Sequence, residues 1–178
     1  VLENLIEFSG SRDDFNLNLS LESYEKMNKP TSDKYEFIYP NYTLTKSSYF
    51  EDSFFDNFEF MSSGNQKKYD TNIYEAVQVN DLILNGKNMV NKVGINHNFK
   101  SIIKNVNSDG KNSTKFKEKS QSEILSMLIY DVDVPLIKKD EKFDNMLTPK
   151  MSLRFSPNAS KNLKDESRFL NPDNIFSL

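Results

Sequence analysis

The chain has 178 residues, of which 37% are hydrophobic and 28% are charged, and 23 basic side chains stand against 26 acidic ones. This length fits about one domain, and the net charge of −3 argues against binding a nucleic acid through bulk charge. A mean hydropathy of −0.66 and the lack of a run of about 18 apolar residues exclude a transmembrane helix. They leave a membrane β-barrel open, because barrel strands alternate lipid-facing and lumen-facing side chains.

The residue inventory also excludes much of enzyme chemistry. The chain has no cysteine, and His97 is its only histidine, so it cannot build a thiolate or multi-histidine metal site, a disulfide framework, or a cysteine–histidine catalytic pair. Only five glycines are present, and they form no phosphate-binding loop or nucleophile elbow. We therefore predict a protein that is not an enzyme and needs no cofactor.

Two segments alternate apolar and polar residues with a period of two, which predicts strands with one apolar and one polar face. The first runs from Phe15 to Glu22 and the second from Leu147 to Phe155. Pro149 and Pro157 predict that the second strand lies at a sheet edge or ends there. In the first strand the apolar face carries Phe15, Leu17, Leu19 and Leu21, and the polar face carries Asn16, Asn18, Ser20 and Glu22.

Further strands are predicted where aromatic and β-branched residues concentrate. A helix beginning at Glu118 is an alternative for part of the last of these runs, but the alternation of residue types from Ile129 to Val134 favours a strand. The five predicted strands are Tyr35–Lys46, Phe54–Met61, Asn72–Leu84, Val93–Asn105 and Ile124–Ile137.

Polar segments rich in turn-forming residues separate these runs. Turns are predicted at residues 28–33, 62–65, 85–88 and 107–110. The dipeptides Asn85-Gly86 and Asp109-Gly110 are typical of tight hairpins. Two longer polar segments, Lys111–Ser122 and Ser160–Arg168, are predicted to be solvated loops without a buried face and the most mobile parts of the chain.

Seven to nine antiparallel strands and no long amphipathic helix place the chain in the all-β class. Two architectures remain open: a soluble sandwich that buries its apolar faces, and an outer-membrane barrel that turns them toward lipid. Strand length favours the barrel, because several runs reach the 9–11 residues that a tilted spanning strand needs. Aromatic residues near the strand ends also favour it, although aromatic residues favour strands in general. These residues are Tyr24, Tyr35, Tyr39, Tyr42, Tyr49, Phe50, Phe54, Phe55, Tyr69, Tyr74 and Tyr130.

Candidate chemistry is sparse. Asp13 and Asp14 are adjacent, and Asp131 and Asp133 share one face of a predicted strand, where two acids can bind a cation or share a proton. A solvated polar face explains both pairs and is the preferred interpretation. His97 has no identifiable partner carboxylate, so it receives no role. We predict no catalytic, cofactor-binding or metal-ligating residue.

The chain begins at Val1 without a start methionine or a signal segment, and it ends within a strand-like run at Leu178. This predicts an internal fragment of a longer protein.

Several blocks of the sequence carry a resemblance to a known family, and they are spread over most of the chain. They are residues 33–40 (DKYEFIYP), 77–82 (VQVNDL), 104–110 (KNVNSDG), 147–150 (LTPK), 153–157 (LRFSP) and 174–178 (NIFSL).

Together these blocks resemble the barrel region of the LPS-assembly outer-membrane protein family of Gram-negative bacteria (LptD, also called OstA or organic solvent tolerance protein). The resemblance implies that residues 1–178 are part of a large transmembrane barrel that inserts lipopolysaccharide (LPS) into the outer leaflet. The alternatives are another outer-membrane barrel, such as a porin or receptor, and a soluble β-sandwich that serves binding or adhesion. The implied partners are LPS, an LptE-like lipoprotein plug, the periplasmic Lpt bridge components and outer-membrane lipids. The family's jellyroll domain, lateral gate and disulfide-forming cysteines have no counterpart in this sequence, and no LPS-contacting residue is carried over.

Overall fold

The computed structural model describes residues 1–28, 34–51, 53–139 and 143–157 and the backbone of residues 161–162 and 169–170. This part of the chain is all-β, and it contains no helix long and apolar enough to cross a membrane. The strands are β1 (Leu2–Arg12), β2 (Phe15–Glu25), β3 (Tyr35–Tyr49), β4 (Phe55–Tyr69), β5 (Tyr74–Gly86), β6 (Met89–Val90), β7 (Asn96–Lys111), β8 (Gln121–Asp133), β9 (Leu136–Lys139), β10 (Asp144–Leu147), β11 (Lys150–Phe155), β12 (Lys161–Asn162) and β13 (Phe169–Leu170).

Nine of the strands form one antiparallel sheet, in the order β1-β2-β3-β4-β5-β7-β8-β11, with β6 paired to β7. The remaining described strands form two separate pairs, β9 with β10 and β12 with β13. The sheet is a meander, because its neighbours follow chain order. The all-β class and the predicted strand number are confirmed, and β11, which lies between Pro149 and Pro157, lies at the sheet edge as predicted.

Strand β1 was not predicted from the sequence. Its eleven residues pair without interruption with β2, but all of them except Gly10 are exposed. An edge strand that buries neither face does not need a strict alternation of apolar and polar residues. Leu5 and Ile6 stand side by side and break that alternation, so the periodicity signal was absent although the strand is regular.

Two predicted turns are wrong, because residues 62–65 lie inside β4 and residues 107–110 lie inside β7. Both segments pair with a strand on each side, so the ladder hydrogen bonds outweigh local turn propensity. The chain reverses later in each case, at 70–73 and 112–120. There Asn72 and Asn112 adopt φ values of 58° and 53°, and Asn112 Nδ2 donates to the Asn72 carbonyl oxygen at 3.1 Å. Asparagine tolerates this left-handed conformation better than most residues.

Gly64 lies within β4 because a larger side chain would not fit there. A Cβ atom at Gly64 would lie 2.8 Å from Tyr42 Cε1 and 2.9 Å from the Val77 carbonyl oxygen. The glycine lets the Tyr42 ring lie against the β4 backbone, so this residue serves close packing and not a turn.

Replacing Gly64 with alanine is expected to lower the free energy of unfolding by about 1–3 kcal/mol, because the added methyl group overpacks the contact with Tyr42. Urea unfolding in detergent micelles, followed by circular dichroism, measures the change. Gly10→Ala is the matched control, because its Cβ would meet nothing closer than 3.8 Å. Equal effects of the two substitutions would contradict the proposed role of Gly64.

Register defines two faces of the sheet, since residues directly opposite each other on neighbouring strands share a face. Face A contains the row Asn18, Thr43, Ser63, Val79, Val106 and Glu123. Face B contains the next row, Leu19, Tyr42, Gly64, Gln78, Asn107 and Ser122. The two ends of the sheet are called the Gly86 end and the Tyr74 end, after the last and first residues of β5.

The hydrophobic core lies on face A of β5, β7 and β8. Its fully buried members include Ile102, Leu125 and Met127, and Val77, Val79 and Ile83 pack against them. The β7–β8 connection contributes at the Tyr74 end, where Phe116 and Ser113 are buried and approach Gly110. The prediction that this polar segment buries nothing is therefore wrong, because two of its side chains fold back onto face A.

Candidate functional site

Face B carries a continuous set of apolar side chains on eight of the nine strands, from β1 to β11, here called the apolar belt. None of its side chains is fully buried, and Phe155 is 63% exposed. The belt comprises Ile6, Phe8, Leu17, Leu19, Leu21, Tyr42, Leu44, Phe58, Phe60, Leu82, Leu84, Phe99, Ile103, Leu128, Tyr130, Met151, Leu153 and Phe155. An exposed apolar surface of this extent marks an interaction site for another protein, a membrane or a ligand.

The belt crosses the strands at an angle. In the row of Leu19, the residues on β2 and β3 are apolar or aromatic, whereas Gln78, Asn107 and Ser122 on β5, β7 and β8 are polar. Four residues toward the Gly86 end, the row of Leu82 is apolar on β4, β5 and β7 but carries Lys46 on β3. From β1 to β11 the apolar segment therefore shifts toward the Gly86 end, although β4 and β5 hold theirs at the same level, with Phe60 opposite Leu82. Face B also carries apolar residues outside the belt, such as the exposed Ile124 on β8 and Phe15 on β2, which lies opposite Lys46.

Register gives the size of this angle. The belt centre on β2 is Leu19, which lies level with Ser122 on β8. The belt centre on β11 is Leu153, which lies opposite Tyr130, eight residues further along β8. Eight residues over six steps from strand to strand give a shift of about 1.3 residues per step. With roughly 3.3 Å per residue and 4.8 Å between strands, the belt is inclined by about 40° to the rows that run straight across the strands.

A ladder of uncharged polar side chains borders the belt on β4, β5 and β7, on the side toward the Tyr74 end. Ser62 Oγ donates to Asn80 Oδ1 at 2.7 Å, and Asn80 Nδ2 donates to Asn105 Oδ1 at 3.0 Å. Asn107 Nδ2 donates to Asn105 Oδ1 at 2.7 Å, and the Tyr42 hydroxyl lies 3.2 Å from Ser62 Oγ. This amide ladder links four strands across face B.

Aromatic rings gather at the Gly86 end of face B. Phe99 and Tyr130 stack with centroids 4.5 Å apart, and Phe54 lies 5.5 Å from Phe99. His97 Nδ1 lies within hydrogen-bond distance of the Tyr130 hydroxyl, at 2.6 Å, and its ring stacks on the same tyrosine. His97 therefore has an aromatic and hydroxyl partner, which its sequence neighbours did not reveal.

Face A differs between the two halves of the sheet. On β2 to β4 it carries mainly amide, hydroxyl and carboxylate groups, joined by cross-strand hydrogen bonds such as the one from Asn41 Nδ2 to Glu22 Oε1 at 2.9 Å. Glu22 also accepts from the Tyr24 hydroxyl at 2.9 Å. On β5, β7 and β8 the same face holds the hydrophobic core.

An ion pair lies inside that core. Lys104 is 2% exposed, and its Nζ atom lies 3.4 Å from Asp81 Oδ2. Within the described part of the chain, Asp81 Oδ1 and Ser108 Oγ are buried and have no hydrogen-bond partner. A lysine buried among Ile102, Val106 and Leu125 requires its counter-ion, because an unpaired charge in such surroundings is very costly.

A second pair, at the Tyr74 end, is far more accessible. Lys34 Nζ lies 2.7 Å from Glu25 Oε1, and the two side chains keep 32% and 27% of their exposure. The hydrogen bond to Glu25 raises the pKa of Lys34. Solvent screening leaves such a pair with little effect on folding.

The acidic pairs singled out in the sequence come to lie apart. Asp13 and Asp14 form the β1–β2 turn, where the Asp14 carbonyl oxygen accepts from the Ser47 amide. Asp131 and Asp133 follow each other on one face of β8, and Asp133 Oδ2 accepts from Asn96 Nδ2 at 2.7 Å. Among the described residues, no three histidine, aspartate or glutamate side chains lie close enough together to hold a metal ion.

The belt angle, the amide ladder and the buried ion pair were all missed by reasoning from sequence. Alternation indicated apolar faces one strand at a time, but only pairing shows how those faces align. Comparison with the models of known protein families, with curated proteins and with solved structures finds no match to this chain.

Proposed function

We propose that this chain is part of the wall of a transmembrane outer-membrane β-barrel, and that the barrel belongs to the machinery that assembles LPS in the outer leaflet. The observation that carries the membrane assignment is the inclined apolar belt on face B. A lipid-facing belt has to follow the membrane plane, whereas strands in a barrel are tilted by about 35–45° from the barrel axis. The belt must then be inclined by the same angle to the rows that run straight across the strands.

The angle of about 40° given by strand rise and spacing falls within that range. Face A of β2 to β4, with its hydrogen-bonded amides and carboxylates, would line the hydrated interior. In this arrangement Leu19 and Leu153 lie at the same depth in the bilayer, although they are far from level in the sheet. Conversely, Leu19 and Gln78 are level in the sheet but differ in depth.

The assignment to LPS assembly rests on the sequence blocks that resemble the LptD family. Four of them fall on strands of the nine-stranded sheet: VQVNDL on β5, KNVNSDG on β7, LRFSP at β11 and most of DKYEFIYP on β3. Lipid transport makes and breaks no covalent bond, so it needs no catalytic group. The proposed partners are LPS, an LptE-like lipoprotein, the periplasmic Lpt bridge and outer-membrane lipids.

Single tryptophans test the proposal, because the chain has none of its own. The variants Leu19→Trp, Leu153→Trp and Gln78→Trp are placed in bilayers that contain lipids brominated at known acyl positions. We expect strong quenching for the first two, with the same depth profile, and weak quenching for the third. Asn18→Trp, on face A of β2, is the control and is expected to avoid the acyl bromines.

Equal quenching of Leu19→Trp and Gln78→Trp would contradict the inclined belt, because these residues share a row. Quenching of none of the variants would contradict the membrane assignment as a whole. The LPS assignment is tested separately by photo-crosslinking from face A positions such as Asn18 to LPS in outer-membrane vesicles. Recovery of phospholipid adducts alone would contradict it.

The exposed belt also leads to an expectation about solubility. An open sheet with an exposed apolar face is expected to aggregate in plain buffer and to become monodisperse in detergent micelles. Sedimentation combined with far-ultraviolet circular dichroism measures both properties. A monodisperse β-rich monomer in buffer would contradict the membrane proposal.

One observation favours a second candidate, a soluble β-sandwich that binds or adheres to a partner. Face A of β5, β7 and β8 is apolar and fully buried at Ile102 and Leu125, as expected where a sheet packs face to face. This candidate predicts burial of the belt leucines as well, yet Leu21 and Leu128 are 43% and 52% exposed. The exposed belt therefore favours the membrane proposal.

A further inference from the structure

We infer that the surface around the amide ladder on face B binds the uncharged saccharide portion of a glycolipid whose acyl chains lie against the apolar belt. The inference rests on the proposed membrane location, because that location puts the ladder at the border of the apolar belt, on the side that faces the membrane interface. On face B, the ladder is the next row after the belt toward the Tyr74 end. The belt row contains Phe60, Leu82 and Ile103, and the ladder row contains Ser62, Asn80 and Asn105.

A concave site adjoins the ladder at this end. A cavity of about 350 Å³ opens there, which is within the range of small-ligand sites. The side chains that matter for recognition come mainly from face B and present amide, hydroxyl, carboxylate and aromatic groups. They are Tyr42, Gln66, Gln78, Asn107, Asp109 and Ser120.

The charge of this lining selects the class of ligand. It contains the carboxylate of Asp109 and no lysine or arginine, so it does not suit a phosphate or another anion. Amide and hydroxyl groups both donate and accept hydrogen bonds, which matches the hydroxyl groups of a sugar. Gln78 is exposed, and Asn107 Nδ2 donates to Gln78 Oε1 at 3.4 Å, so the amides are held in place by their neighbours.

Tyr42 supplies an aromatic surface beside these groups. Its ring lies against the β4 backbone, because Gly64 has no side chain to hold it away. Its hydroxyl is fixed near Ser62 Oγ, at 3.2 Å. A rigid ring next to fixed amides offers an apolar face for the C–H groups of a pyranose and polar atoms for its hydroxyl groups.

The test measures binding of a fluorescently labelled, uncharged hexose oligosaccharide to the full chain in phosphatidylcholine nanodiscs, by anisotropy. Gln78→Leu and Tyr42→Phe are each expected to weaken binding by between about twofold and tenfold, since each removes one hydrogen-bonding group. Asn4→Leu removes an exposed amide on β1, which does not line the cavity, and is expected to leave binding unchanged. Excess inorganic phosphate is expected not to compete.

Three results would overturn the inference: no saturable binding, competition by inorganic phosphate, or an equal loss in Asn4→Leu. Quenching of Leu19→Trp by brominated lipid in the same nanodiscs separates this outcome from failure of the proposed function. If that tryptophan is quenched and the oligosaccharide does not bind, only the saccharide inference fails. If the tryptophan is not quenched, the membrane proposal fails first.

Discussion

Replacing Asp81 with leucine is expected to lower the free energy of unfolding by about 3–5 kcal/mol, which is the usual cost of leaving one member of a buried ion pair without its partner. Lys104 is 2% exposed and lies opposite Leu125 of the hydrophobic core, so removing Asp81 leaves a buried ammonium group without its counter-ion. Urea unfolding followed by circular dichroism in detergent micelles measures the loss.

Two control variants show whether the loss of stability comes from leaving the buried charge of Lys104 unpaired. The double variant Asp81→Leu with Lys104→Met replaces both charges by apolar groups of similar size and is expected to recover most of the stability. Lys34→Met breaks the shorter but exposed pair with Glu25 and is expected to leave the free energy of unfolding nearly unchanged, because solvent screens this pair. If the double variant is as unstable as Asp81→Leu, the burial of Lys104 does not explain the effect.

Replacing Leu84 with arginine is expected to weaken folding into a bilayer by about 2–4 kcal/mol, because a lipid-facing charge near the midplane of a barrel wall has this cost. Leu84 is in the belt on β5, a central strand, where the tilted arrangement puts it well inside the hydrocarbon region. The measurement is a urea titration of the chain in lipid vesicles, followed by the fluorescence of a tryptophan placed at Leu19.

Gln78→Arg is the matched control, because Gln78 lies on the same strand and the same face, six residues from Leu84. The inclined belt puts it near the membrane interface, where the cost of an arginine falls to about 0–1 kcal/mol. Similar losses for both variants would mean that the lipid-facing region follows the strand rows instead of crossing them. Negligible losses for both would mean that face B does not contact lipid.

The sequence by itself determined the class of the fold and the face of each regular strand. The alternation from Phe15 to Glu22 correctly separated an apolar face from a polar one, because a strand turns successive side chains to opposite sides. Proline at positions 149 and 157 correctly indicated an edge, since proline cannot donate a ladder hydrogen bond. These features depend only on local geometry, which the sequence encodes residue by residue.

Only the tertiary structure decided how the strands align. Gly64 looked like a turn residue, but its position beneath the Tyr42 ring makes it a packing residue of a long strand. Lys104 looked like one of many charged residues, but pairing puts it next to Asp81 inside the core. The inclination of the belt likewise depends on the register of seven strands. Register follows from hydrogen bonds between residues far apart in the chain, and no local pattern specifies it.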